Sequence, residues 1–104
     1  MDWDEYIKWG EEVVRWGSNY RKNIRNFPVR SQNKPGDTYN SIPASPPEKP
    51  EPIENIFDDF KNLIMPGITH WQHPRFFAYF PSNAAPASVL AEMLANTIGS
   101  QCML

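Results

Sequence analysis

Two histidines and one cysteine are among the side chains of this sequence that could bind a metal ion or act as a nucleophile. His70 and His73 are three positions apart, so a tight turn could direct both toward one ion. A zinc site needs three or four ligands, and Cys102 lies far along the chain. No oxyanion motif or glycine-rich phosphate loop accompanies them. We therefore predict no metal site and no catalytic residue, and interpret both histidines as packed or hydrogen-bonded loop residues.

Residues 68–83 form a segment that is rich in rings. Its ring-bearing side chains are His70, Trp71, His73, Phe76, Phe77, Tyr79 and Phe80. Pro74 and Pro81 interrupt the segment and no helical period is present, so we expect an irregular loop with a short extended piece at residues 75–79. Loops of this composition tend to be buried or to line an apolar pocket. This aromatic loop is the candidate binding element of the chain.

Three stretches with helical periodicity precede and follow the aromatic loop, over residues 2–25, 53–65 and 86–98. In the first, Asp2 is the expected N-cap, with Glu5 as its capping-box partner. The second is stopped by Pro66 and Gly67, and the third has Pro86 at its first position. The pattern predicts a mainly α-helical segment of three helices joined by a proline-rich strap.

The first helix carries an aromatic stripe along one face. Its members are Tyr6, Trp9, Val13, Trp16, Tyr20 and Ile24. A lone helix of this length is marginal in water, so the stripe needs a surface that covers it. We expect either ordinary core packing or docking on another subunit or on further chain. Both interpretations assume a partner surface that these residues do not themselves provide.

Residues 27–52 separate the first two helices and contain seven prolines. These are Pro28, Pro35, Pro43, Pro46, Pro47, Pro50 and Pro52. Such a spacing predicts extended, polyproline-like chain and excludes regular helix or central strand. The sequence thus divides into a docking helix (1–26), a proline-rich strap (27–52) and a helix–loop–helix region (53–104).

Charge and composition exclude several classes of protein. The formal net charge is −2, and no run of Lys or Arg exceeds two residues, so a nucleic-acid interface is not expected. A single cysteine excludes an internal disulfide and favours a reducing compartment. The acidic amino terminus lacks a signal core, and no apolar run is long enough for a membrane span. We expect a cytoplasmic protein without membrane contact, and interpret the apolar ending Cys-Met-Leu as a cut in a longer chain.

Two segments resemble a known family of enzymes. Residues 64–82, Ile-Met-Pro-Gly-Ile-Thr-His-Trp-Gln-His-Pro-Arg-Phe-Phe-Ala-Tyr-Phe-Pro-Ser, and residues 90–99, Leu-Ala-Glu-Met-Leu-Ala-Asn-Thr-Ile-Gly, are similar to group II pyridoxal-phosphate-dependent amino-acid decarboxylases. The spacing Glu-x-x-x-x-Gly-x-Glu-x-Val from Glu5 to Val14 also fits. The resemblance implies an obligate homodimer with the α/β, aspartate-aminotransferase-like fold (fold type I), whose amino-terminal helices wrap over the neighbouring subunit. The amino-acid substrate would be aromatic.

The same resemblance implies roles for individual residues. The substrate side-chain pocket would be lined by Trp71, Tyr79, Phe80, Pro81, Ser82, Gln101 and Met103. Ser82 could reach the polar tip of the substrate or the phosphate of the cofactor. Gln101 would make the wall of the pocket more polar than in relatives specific for aromatic substrates. The lysine, histidine and aspartate that hold pyridoxal 5'-phosphate in the family lie downstream of residue 104. Residues 1–104 alone are therefore expected to bind no cofactor and to catalyse nothing.

Other interpretations remain open from the sequence. The segment could be a truncated, non-catalytic interaction element that pairs with a longer relative. The oxidative-deaminating aldehyde synthases of the same family share this region, so the reaction type is not fixed. An independent adaptor that binds through the Pro43–Pro50 stretch is a third possibility, because that stretch contains weak PxxP patterns.

Overall fold

The computed structural model describes residues 1–80 and 83–101, and this part of the chain is helical without strands. The α-helices are α1 (Trp3–Lys22), α2 (Asp37–Ser41), α3 (Ile53–Asp59) and α4 (Pro86–Ile98). A 3-10 turn, Ile24–Asn26, follows α1, while a π-helical turn, Phe60–Ile64, and a 3-10 turn, Met65–Gly67, continue α3. The prediction of a mainly α-helical segment is confirmed.

Helix α1 begins at the cap that the sequence predicts. The Asp2 carboxylate accepts hydrogen bonds from the backbone N–H groups of Asp4 (3.0 Å) and Glu5 (2.8 Å). The Glu5 carboxylate in turn accepts the N–H of Asp2 at 3.3 Å, which completes the capping box. Arg21 and Lys22 lie in the last turn, where positive charge stabilises the helix dipole. Local chemistry therefore sets where α1 starts.

The second predicted helix, residues 53–65, is not α-helical throughout. It is regular over α3 and then widens into the π-helical turn Phe60–Ile64 before tightening at Met65–Gly67. Pro66 lacks an N–H donor, and in an α-helix its ring would clash with the carbonyl four residues earlier. The change in winding thus occurs in the turns just before the proline, where regular α-helical bonding cannot continue.

Helix α2 lies inside the proline-rich strap, where the sequence analysis excluded regular helix, so that prediction was wrong. Its five residues occupy a proline-free gap between Pro35 and Pro43. Gly36 precedes it with φ of 93°, a left-handed conformation that glycine adopts without steric cost. The Asp37 carboxylate accepts the N–H of Lys34 at 2.8 Å and closes the turn before the helix.

Helix α2 is also held by tertiary contact with the turn that follows α3. A Cβ atom on Gly67 would overlap the hydroxyl oxygen of Thr38, so only glycine allows the strap to approach this closely. The Ser31 hydroxyl donates to the carbonyl of Pro66 at 2.8 Å, and the Asn33 amide donates to Thr38 Oγ1 at 3.1 Å. The first half of the strap is therefore docked, whereas residues 42–52 are exposed throughout.

The aromatic stripe of α1 packs mainly against α3 and the turn that follows it. The Trp9 ring meets Phe57 edge-on at 5.9 Å, and Trp16 meets Phe57 at 6.1 Å and Phe60 at 5.1 Å. Edge-on contacts of this kind add to the stabilisation that comes from burying the rings. The expectation that these residues provide no partner surface for the stripe was thus wrong for its centre. Trp9 and Trp16 nevertheless remain half-buried.

The segment exposes far more surface than a self-contained domain. Its accessible area is 9218 Å², whereas a folded monomer of 12.0 kDa is expected to expose about 6000 Å². Its radius of gyration is 16.5 Å, against about 13 Å for a compact chain of this length. Within residues 1–80 and 83–101, Ile24 is the one hydrophobic side chain that is buried, at 6% exposure. About a third of the surface is therefore in excess, and helix α4 is exposed along its whole length.

Candidate functional site

His70 anchors the start of the aromatic loop. Its side chain is 2% exposed, and its Nδ1 atom forms a hydrogen bond with the hydroxyl of Tyr20 of α1 at 2.8 Å. The backbone N–H of His70 donates to the carbonyl of Val29 in the strap at 2.9 Å. The Phe27 ring lies 4.9 Å from the imidazole and 5.4 Å from the Tyr20 ring. One side chain therefore joins α1, the strap and the loop.

Burial alters the protonation of both partners in this hydrogen bond. Desolvation lowers the pKa of His70, and the nearby His73 lowers it further, because both disfavour the imidazolium form. Desolvation raises the pKa of Tyr20, an effect that Arg21 partly offsets. The pair is consequently neutral near pH 7, which suits a structural hydrogen bond in a poorly solvated position.

His73 fixes the next turn of the loop. It is 7% exposed, and its Nδ1 atom accepts the backbone N–H of Arg75 at 3.0 Å, so the neutral ring carries its proton on Nε2. Its own backbone N–H donates to the carbonyl of His70 at 2.9 Å. The structure thus confirms hydrogen-bonded loop histidines. No group of three or more His, Cys, Asp or Glu that could hold a metal occurs in the described part of the chain.

Beyond these anchors, the loop presents its rings to the outside of the segment. Trp71 stacks on Tyr79 with ring centres 5.7 Å apart and planes inclined by 15°, and Phe76 lies 4.8 Å from Trp71 on the same loop. Tyr79 is 83% exposed and Phe80 is 95% exposed. Two of the predicted pocket residues, Trp71 and Tyr79, are therefore in direct contact, whereas the Phe80 side chain is almost fully exposed.

Tyr79 has a strained backbone. Its φ of 55° places it in the left-handed region, and it is the one described residue other than glycine that does so. This conformation costs a non-glycine residue about 1–2 kcal/mol and is found preferentially at functional sites. The loop thus holds the Tyr79 ring against Trp71 at a cost in backbone energy.

The other predicted pocket residues cannot all be located. Gln101 is exposed beyond the end of α4 and has no described contact with the loop. Pro81, Ser82 and Met103 lie outside the described residues. Sequence reasoning overlooked Tyr20 and Phe27 as partners of the loop. The hydroxyl of Tyr20 was the available signal, because a tyrosine on a buried stripe needs a hydrogen-bond partner.

A crossing of the membrane is not supported by the described helices, none of which combines sufficient length with sufficient apolar character.

The fold and the aromatic loop define a helical segment that lacks a core of its own and exposes a stacked aromatic pair. A family model described as "Pyridoxal-dependent decarboxylase conserved domain" matches residues 35–104, which is more than half of the chain. The chain therefore belongs to the pyridoxal-dependent decarboxylase family.

Individual relatives cover nearly the whole segment. A tyrosine decarboxylase of Papaver somniferum is 43% identical over 99% of this chain and 21% of its own length. A phenylacetaldehyde synthase of Arabidopsis thaliana is 42% identical over 95% of this chain and 20% of its own length. The chain thus spans about a fifth of the length of the curated relatives that it matches.

Solved structures agree with the family assignment. The crystal structure of Catharanthus roseus tryptophan decarboxylase in complex with L-tryptophan matches 96% of this chain and 22% of that chain, with a TM-score of 0.87 and 35% identity. Oryza sativa TDC with PLP and tryptamine matches 100% of this chain and 22% of that chain, with a TM-score of 0.93 and 28% identity. The predicted relationship to group II decarboxylases is thereby confirmed, and with it the fold type I architecture of the complete proteins.

Two lysines of the segment make contacts with neighbouring side chains. Lys61 is paired with Asp58 at 2.6 Å and lies over the Phe57 ring, while Lys8 lies over the Trp9 ring.

Proposed function

We propose that the protein containing this segment is a pyridoxal-phosphate-dependent decarboxylase that converts an aromatic L-amino acid to the amine and CO2. The observation that supports this most strongly is the exposed Trp71–Tyr79 stack within a segment of the pyridoxal-dependent decarboxylase family. Exposed rings held in a strained loop offer a flat apolar face to a planar side chain. The relatives named as tyrosine and tryptophan decarboxylases favour the same class of substrate.

In this proposal the segment forms one wall of the substrate pocket. Trp71, Tyr79 and Phe80 contact the aromatic side chain, and Pro81, Ser82, Gln101 and Met103 complete the wall, with the Ser82 hydroxyl directed to a polar group of the substrate or to the cofactor phosphate. Bound pyridoxal phosphate supplies the electron sink for cleavage of the bond to the carboxylate. The segment orients the substrate side chain and excludes water from the reacting bond.

The excess apolar surface has a place in the same proposal. Helix α4 exposes Val89, Leu90, Leu94 and Ile98. Fully burying a side chain of this kind contributes about 1.5–3 kcal/mol, so four of them make a substantial docking face. We assign this face, together with exposed Ile7 and Val14 of α1, to contact with the remainder of the chain and with the second subunit of a homodimer. A cytoplasmic location is part of the proposal.

An aldehyde synthase is the second candidate. It is favoured by one specific finding, namely that relatives named phenylacetaldehyde synthase and 4-hydroxyphenylacetaldehyde synthase match the segment about as well as the decarboxylases do. Both candidates release CO2 from the same kind of substrate. The decarboxylase leaves the amine, whereas the synthase also consumes O2 and water and leaves the aldehyde with ammonia and hydrogen peroxide. The aromatic loop serves either reaction.

The test is to incubate the purified full-length protein, loaded with pyridoxal phosphate, with tyrosine, tryptophan, phenylalanine and histidine separately. Release of CO2 with an equal amount of the aromatic amine supports the decarboxylase, and release with the aldehyde supports the synthase. If an intact mass of 12.0 kDa is found for the native protein, with no bound cofactor and no CO2 release, the segment is a non-catalytic interaction element and the proposal fails.

A further inference from the structure

His70 occupies an unusual position for a polar side chain. It is 2% exposed, less than any other described residue, in a segment whose described part buries almost no apolar side chains. Burying an imidazole is costly unless its nitrogen atoms are hydrogen-bonded. Here the Nδ1 atom meets the Tyr20 hydroxyl at 2.8 Å across 50 residues of sequence. The hydrogen bond therefore joins α1 to the aromatic loop.

The connection passes directly to the stacked pair. His70 precedes Trp71, whose own N–H donates to the carbonyl of Thr69 at 3.1 Å. With the ring of His70 fixed by Tyr20 and its backbone fixed by Val29, the backbone of Trp71 has little freedom to rotate. The ring of Trp71 then sets where Tyr79 can stack. The exposed rings are thus oriented from a buried anchor at the foot of the loop.

We infer that Tyr20 and His70 are positioning residues for substrate binding, because their hydrogen bond orients Trp71 and, through the stack, Tyr79. The inference rests on the proposed function in one respect, namely that the stacked pair contacts the substrate. Neither Tyr20 nor His70 touches the substrate itself. Loss of the hydrogen bond would leave the reacting bond unaffected and would disorder the wall that holds the aromatic side chain.

Tyr20→Phe is the sharpest variant, since it removes one oxygen atom and keeps the ring contacts with Trp16 and Phe27. In the full-length holoenzyme we expect KM for the aromatic amino acid to rise about five- to tenfold, as loss of one buried hydrogen bond would produce. The turnover number should change by less than about twofold, because interactions with the reacting bond are retained. The rate of amide hydrogen exchange at residues 70–80 should increase by about the same factor as KM increases.

His70→Leu removes the other partner and should raise both KM and the rate of loop exchange. His70→Asn should instead return both quantities most of the way to their wild-type values. The asparagine amide can donate or accept at a position close to that of Nδ1, so it can still bind the Tyr20 hydroxyl. Tyr6→Phe is the matched control, because Tyr6 lies on the same helix and the structure gives its hydroxyl no partner among the described residues. It should alter neither KM nor loop exchange.

The results separate this inference from the proposed function. If the wild-type protein releases CO2 but Tyr20→Phe leaves KM and exchange at residues 70–80 unchanged, the positioning role is refuted. A fall in bound cofactor and turnover with unchanged KM would equally refute it, since that is the result of a purely structural contact. If the wild-type protein is inactive on every aromatic amino acid, the proposed function fails, and the exchange measurements alone decide whether the hydrogen bond orders the loop.

Discussion

Replacing Gly67 with alanine should release helix α2 from the turn that follows α3. The φ angle of Gly67 is not positive, so alanine is compatible with its backbone and the effect comes from contact alone. The added Cβ would overlap Thr38 Oγ1, while Cβ and Cγ2 of Thr38 would each lie 3.4 Å away. Overpacking of this kind costs about 1–3 kcal/mol. Hydrogen exchange at residues 37–41 in the full-length protein should therefore be about 5- to 150-fold faster.

A compensating change gives this prediction its control. Thr38→Ala removes the hydroxyl oxygen and Cγ2, and it sacrifices the 3.1 Å hydrogen bond from Asn33. That loss should cost about 0.5–1.5 kcal/mol by itself. In the double variant the overlap with the hydroxyl oxygen is gone, and the Cβ at position 67 would lie 3.4 Å from the Cβ at position 38, which a small shift accommodates. The double variant should thus be no less stable than Thr38→Ala, with an interaction energy of about 1–3 kcal/mol that favours the pair of changes. Additive effects of the two changes would show that α2 does not dock on Gly67.

Three further predictions concern the loop, its anchor and the exposed helix. Tyr79→Ala in the full-length protein should lower the turnover number or raise KM by about tenfold or more. Stability should change little, because an 83% exposed ring contributes little to packing, and wild-type kinetics would remove Tyr79 from the site. Burial lowers the pKa of His70 below its unfolded value, so the free energy that holds the loop closed should be at its maximum above about pH 6.5 and should fall at lower pH, by at most about 1.4 kcal/mol per pH unit. His70→Asn should remove this pH dependence of hydrogen exchange in the loop, and an identical pH profile in both proteins would contradict the prediction. Leu94→Asp should raise the dissociation constant for assembly of the full-length protein by about tenfold or more without affecting α1. Sedimentation measures this against the matched surface change Glu92→Asp, and an unchanged dimer would exclude the α4 face as an interface.

The features that the sequence predicted correctly are those that depend on neighbours along the chain. The Asp2–Glu5 capping box, the start of α4 at Pro86 and its end at Gly99 all follow from local chemistry. The same holds for the stop at Pro66 and Gly67, although the winding before the proline changes to π-helical.

The features that sequence reasoning did not predict depend on contacts between distant residues. Helix α2 is too short to be stable alone, and its docking of Thr38 on Gly67 brings together residues from separate segments. The anchor formed by Tyr20 and His70 spans 50 positions, and the aromatic stripe indicated only that Tyr20 faces inward. The exposed stack of Trp71 and Tyr79 depends on the left-handed backbone conformation of Tyr79, which the residue type at this position does not predict.

Substitutions on the aromatic stripe of α1 do not test dimerisation cleanly. Aspartate at Trp9 or Trp16 would disrupt packing against Phe57 within the chain, so a loss of dimer would not identify an intersubunit contact. Exposed apolar residues such as Leu94 are better suited to this test, since Leu94 is 66% exposed.

The central claim is that these helices need a larger protein to cover their apolar surface, and calorimetry of residues 1–104 alone tests it most directly. A self-contained domain of this size should melt with an enthalpy of about 60–80 kcal/mol. We predict that the isolated segment gives no such transition and either unfolds gradually or self-associates. A monomer that melts cooperatively with that enthalpy would contradict the claim.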